Sequence, residues 1–260
     1  KSPLHPRKIE KFSKSLSLEN ISFAYREIDG KSDWILKNLS LEMKPGEKIA
    51  LVGTTGSGKT TLLKLLNRFY DIQKGSIKID GIDIRELELS SLRQLFAVVL
   101  QDVYLFSGSV RENLQFIDGI DADALARAAQ AVQVDDLISK LPEGYETAIQ
   151  NLGSNFSAGE RQLLAFARAL AIDPEILLLD EATSSIDSET ELRIQQALDI
   201  LLKDRSAIVV AHRLSTIKKV DRIFVIQAGE VVESGTHEEL LHKGGVYKRL
   251  AKLHLGEELI

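Results

Sequence analysis

Cysteine is absent from this sequence, which excludes disulfides, thiolate metal sites and cysteine nucleophiles among its 260 residues. No uncharged apolar run approaches the roughly 20 residues that a membrane-spanning helix needs. An excess of basic charge is missing too: the formal net charge is −5 and the pI near 5.7, so there is no electrostatic footprint for nucleic acid. The N-terminal Lys1-Ser2-Pro3-Leu4-His5-Pro6 has no signal-peptide core, and the sole methionine is Met43. The sequence is therefore expected to be a piece of something longer. It contains no internal repeat and no low-complexity tract.

What is present is a glycine loop in a telling setting. The apolar run Lys48-Ile49-Ala50-Leu51-Val52 reads as a buried strand, and Thr61-Leu62-Leu63-Lys64-Leu65-Leu66 as the start of a helix. Between them stand Gly53, Thr54, Thr55, Gly56, Ser57, Gly58, Lys59 and Thr60, the pattern GxxxxGK[ST]. Glycines there let backbone N–H groups close around phosphate oxygens, and the helix N-terminus adds its positive end. Lys59 is placed to reach the β- and γ-phosphates of a nucleotide, and the Thr60 hydroxyl to ligate Mg²⁺.

The remaining chain reads as an α/β protein, and with the glycine loop it resembles the P-loop NTPase (RecA-like) fold. Residues 1–14 are basic and without periodicity, as in a linker, and 15–260 form one domain. Alternating runs near 16–25 and 34–41 predict an antiparallel β subdomain flanking the core. From about 102 to 170 the period turns helical, which predicts an inserted α-helical subdomain between core strands. Strands alternating with helices predict a mostly parallel core sheet.

Three apolar strands end in Gln101, in Asp180-Glu181 and in His212. In an open α/β sheet ligands sit beyond the carboxyl ends of the strands, so these side chains are expected to converge on the phosphates. Asp180 is suited to hold Mg²⁺, and Glu181 to polarise an attacking water.

Tyr25, the Walker A loop Gly53 to Thr60, the Q-loop Gln101, Phe156-Ser157-Ala158-Gly159-Glu160, the Walker B run ending Asp180-Glu181, Ser185-Ile186-Asp187 and His212 follow one another in the order seen in ATP-binding cassette (ABC) proteins. The chain resembles the nucleotide-binding domain of an ABC exporter over about residues 16–253. Leu105-Phe106-Ser107-Gly108-Ser109-Val110-Arg111-Glu112-Asn113-Leu114 is similar to the exporter subgroup in particular. The resemblance implies an ATPase that powers export at the cytoplasmic face of a membrane, coupled to transmembrane domains. It implies two such domains sandwiching two ATP molecules, each held by the Walker A loop of one domain and the signature of the other. Tyr25 would then stack on adenine, with Thr61 beside the nucleotide. Gln101 would sense Mg²⁺ and water, and His212 would hold the γ-phosphate. Ser157, Ala158, Gly159, Glu160 and Asp187 would act across the interface.

The signature departs from the family's usual Leu-Ser-Gly-Gly-Gln at Phe156, which keeps an apolar side chain, and at Ala158 and Glu160, which change what faces a nucleotide. Glu160 puts an acid near an anionic ligand if its side chain faces that way. Intact Walker residues beside an altered signature favour a partner domain of different sequence, a homodimer being the alternative. A surface groove for the membrane domain is expected near Gln101 to Phe106. A nucleic-acid clamp of the DNA-repair type fits poorly, because long coiled-coil inserts and basic charge are both lacking.

Overall fold

The computed structural model of the protein describes residues 6–28, 31–115, 120–150, 152–180, 188–211 and 213–254. Its centre is a six-stranded sheet in the order 230–235, 222–227, 48–52, 206–210, 176–180, 96–99. Neighbouring strands are parallel except the hairpin of Arg222–Gln227 with Glu230–Gly235. Side chains alternate between the faces of the central strand Lys48–Val52. Ile49 and Leu51 join one core with Leu178, Ile208 and Val210, while Ala50 and Val52 join another with Leu177, Leu179 and Val209. Burial on both faces is why these strands read as unbroken apolar runs.

A four-stranded antiparallel sheet, ordered 36–43, 16–23, 74–79, 82–83, packs on the first core. The helix Lys59–Leu66 buries Leu62, Leu63, Leu65 and Leu66 in that same core. On the opposite face, helices Ala122–Ala131, Ala158–Ile172 and Ser188–Leu202 contribute Leu125, Leu163, Phe166, Ile194 and Leu201. The stretch 102–170 also contains a pair of two-residue strands, Gly108–Ser109 with Ala148–Ile149, which helical periodicity does not announce. A short helix, Leu89–Gln94, likewise lies where the sequence pattern predicts none.

Residues 6–14, expected from the sequence to be a linker, lie against the domain. Ile9 and Phe12 are buried in the first core. The Arg7 N–H donates to the Glu86 carbonyl at 2.9 Å, and the Arg7 carbonyl accepts from the Glu88 N–H at 2.8 Å. The Asp80 carboxylate accepts from the Ser13, Lys14 and Ser15 N–H groups at 2.9, 2.7 and 3.1 Å, and from the Ser13 hydroxyl at 2.7 Å. Partial burial alone would raise the Asp80 pKa, but these hydrogen bonds outweigh it and hold the carboxyl below its ordinary value. Among the described residues, no helix is long and apolar enough to cross a membrane.

Candidate functional site

The glycine loop leaves the carboxyl end of Lys48–Val52 and runs straight into Lys59–Leu66. Its glycines answer different demands. Gly58 has φ +105, and a Cβ there would lie 2.5 Å from Leu36 Cδ2. At Gly53 the demand is close approach: a Cβ would stand 2.2 Å from the Ile226 carbonyl oxygen. Because the helix starts at Gly58 with no side-chain cap, its first N–H groups remain for a ligand in the loop.

Lys59 is buried, and its Nζ donates to the carbonyls of Gly53 at 2.8 Å and Thr54 at 2.9 Å and to Ser57 Oγ at 3.4 Å. Burial pushes its pKa down, and the nearby Asp180 carboxylate works in the opposite direction. The Thr60 hydroxyl donates to Asp180 Oδ2 at 2.8 Å. A threonine hydroxyl and a buried carboxylate side by side are hard oxygen donors, and they fit Mg²⁺.

These groups share a cleft of about 420 Å³ with Tyr25, Ile35, Thr55, Thr61 and Gln101. The Tyr25 hydroxyl lies 3.1 Å from Thr61 Oγ1. Its ring stands edge-on to Phe23 and Tyr70, with centroids 4.9 and 5.1 Å away. The aromatic ring is thus fixed while the residue stays 43% exposed. Sequence reasoning brings Tyr25, the loop, Gln101 and Asp180 to one place, and the structure does the same. Ile35 and Tyr70 escape it, since a lone isoleucine after a polar turn and a second tyrosine beyond a helix carry no phosphate signal.

The signature lies apart from this cleft, at the start of Ala158–Ile172. Ser157 is the N-cap: its Oγ accepts from the Glu160 N–H at 3.2 Å, and the Glu160 carboxylate accepts from the Ser157 N–H at 2.7 Å. This capping box turns the Glu160 side chain back onto its own helix. Ala158 is exposed, whereas a Cβ on Gly159 would meet Thr190 Cγ2 at 2.1 Å. Glu181, Asp187 and His212 lie outside the described residues.

A family profile described as "ABC transporter" matches residues 36–184. The chain belongs to the ABC transporter family. The family's ATP-binding domains are ATPases, and the P-loop NTPase core with its antiparallel sheet and helical part is their fold. A Bacillus subtilis (strain 168) protein described as "Uncharacterized ABC transporter ATP-binding protein YknV" is 50% identical over 94% of this chain and 40% of its own length. An "ATP-dependent lipid A-core flippase" of Syntrophus aciditrophicus (strain SB) is 45% identical over 97% of this chain and 41% of its own. The solved "Structure of a bacterial Atm1-family ABC exporter with ATP bound" superposes with a TM-score of 0.89 at 35% identity, covering 100% of this chain and 45% of that one. The chain thus spans less than half the length of these ABC relatives.

Proposed function

We propose that this chain is the ATP-binding and ATP-hydrolysing domain of an exporter, working at the cytoplasmic face of a membrane with transmembrane domains. The observation that carries the proposal is the Thr60–Asp180 contact at 2.8 Å beside Lys59 in the cleft. Export rests on relatives described as flippases and as a probable multidrug resistance transporter. Leu100, Tyr104 and Phe106 beside Gln101 are exposed, which supports docking of a membrane domain there.

In this reading Lys59 exchanges its bonds to the Gly53 and Thr54 carbonyls for phosphate oxygens. Backbone N–H groups of Thr54 to Thr61 cradle the phosphates, and Tyr25 offers its ring to adenine. Thr60, Asp180 and Gln101 would hold Mg²⁺, which when bound spreads positive charge over the phosphate oxygens. Glu181 takes the proton of the attacking water, and His212 donates to the γ-phosphate. From a second domain, Ser157 still has its hydroxyl hydrogen to donate to the γ-phosphate, with Ala158, Gly159, Glu160 and Asp187 around it. Chemistry is then mostly positioning and charge stabilisation, with bulk water excluded on closure.

A second nucleotide-binding domain completes the site. A partner of different sequence is favoured, because the charge of Glu160 stays at the helix N-terminus even when its hydrogen bonds are local.

Sedimentation with MgATP tests both parts. Glu181→Gln, which keeps ATP intact, is expected to stay monomeric alone and to dimerise once Glu160→Gln and Ala158→Gly are added. Dimerisation of Glu181→Gln alone favours a homodimer. ATP hydrolysis undiminished in Glu181→Gln overturns the assigned chemistry.

A further inference from the structure

The phosphate-loop helix is held at its far end as well as its start. Arg68 follows Asn67, the C-cap of Lys59–Leu66, in the left-handed region at φ +51. Its side chain is 9% exposed. Nη1 donates to the carbonyls of Ile84 at 3.2 Å and Leu87 at 3.4 Å, and Nε donates to the Asp71 carboxylate at 3.1 Å. Arg93 adds a bond from Nε to the Asn67 carbonyl at 3.4 Å. The end of the helix is thus tied to the segment 84–93.

That segment is also where the N-terminal arm docks. Arg7 pairs by backbone with Glu86 and Glu88, on either side of the Leu87 whose carbonyl Arg68 uses. The Ile9 N–H donates to Ser91 Oγ at 3.4 Å, and the arm ends in the four hydrogen bonds to Asp80.

We propose that residues 7–15 act as an allosteric arm: docked, they hold segment 84–93, which through Arg68 fixes the helix Lys59–Leu66 and tightens nucleotide binding at the glycine loop. The inference rests on the nucleotide-site reading above. The helix spans only eight residues, about 12 Å, so a restraint at its far end acts on its first turn alongside the packing of the buried Leu62, Leu63, Leu65 and Leu66. Releasing the arm frees the acceptors of Arg68, and the helix can tip at its first turn, where Thr60 must stay 2.8 Å from Asp180. Arg68 does not line the cleft and is a positioning residue. Linkage then demands reciprocity: nucleotide must strengthen docking of the arm by the factor that the arm strengthens nucleotide binding.

Two measurements on the 260-residue chain decide it, with ADP as the probe so that no turnover intervenes. In hydrogen exchange, ADP is expected to slow the amides of Arg7, Ser13, Lys14 and Ser15. In calorimetry, Asp80→Asn and Arg68→Lys are each expected to weaken ADP about fivefold, and the double variant no more than the worse single one. An arm with a merely structural role would lower the unfolding temperature of Asp80→Asn but leave ADP affinity and ADP-dependent exchange unchanged, and that result overturns the inference. Fully multiplying effects overturn it as well. Should Arg68→Lys fail to fold, Asp80→Asn decides together with wild-type exchange, since asparagine suits the backbone at φ +53. If the wild-type chain binds no ADP at all, the nucleotide-site reading falls and this inference with it.

Discussion

Ser157 and Glu160 cap each other. The Glu160 carboxylate accepts the Ser157 N–H, and the Ser157 hydroxyl accepts the Glu160 N–H across the first turn of Ala158–Ile172. A glutamine can make the same two bonds without the charge, which separates geometry from electrostatics. Glu160→Gln should leave the unfolding temperature nearly unchanged and strengthen ATP-dependent association in sedimentation. Glu160→Ala should lose the carboxylate half of the box, while Ser157 still accepts the backbone N–H of residue 160, and with it about 0.5–1.5 kcal/mol of stability.

The contact of Thr60 with Asp180 predicts a metal-dependent phenotype. Asp180→Asn should abolish the gain in ATP affinity that Mg²⁺ brings while retaining metal-free nucleotide binding. Metal assistance is worth several kcal/mol, so hydrolysis should fall by about a hundredfold or more. Retention of a normal Mg²⁺ response would remove Asp180 from this role.

Gly159 is required by packing against Thr190, and no ligand need be invoked. Gly159→Ala should destabilise the chain by about 1–3 kcal/mol in denaturant melts. The companion Thr190→Ser, which removes the clashing methyl, should recover part of that loss in the double variant.

Asp80 gives a pH dependence of known sign. Its folded pKa is below that of an unfolded aspartate, about 3.9, so its contribution is fully present above that value and is lost as pH falls through the lower folded one. Urea melts followed from pH 5 downward, through the unfolded value of about 3.9 and below it, should show a shallower acid loss in Asp80→Asn than in the wild type.

Much of the fold and of the cleft is legible in the sequence. Lys48–Val52 is readable to the residue because an apolar run is bounded by Pro45-Gly46 and Gly53. Lys59, Thr60, Gln101 and Asp180 meet in one cleft because strand ends and a glycine loop share the carboxyl edge of the central sheet, whereas Tyr25, which follows Leu16–Phe23 of the antiparallel sheet, is legible there only through the family resemblance. The inward turn of Glu160 is hidden by its own motif, although Ser-x-x-Glu is also a capping signature. Docking of the arm is illegible for a different reason: Ile9 and Phe12 are single apolar residues in a basic stretch, and the arm's partners lie far along the chain, in Asp80 to Ser91. Two-residue strands such as Gly108–Ser109 are too short to show any period.

The strand that carries the glycine loop sends side chains into both cores of the molecule. Neither lobe can open around it alone without exposing apolar surface that the other still needs. Its amides should therefore be among the slowest to exchange, and the loop inherits an anchor that only global unfolding releases. Adaptation in this protein is thereby steered toward the cleft's rim, because its base belongs to everything else at once.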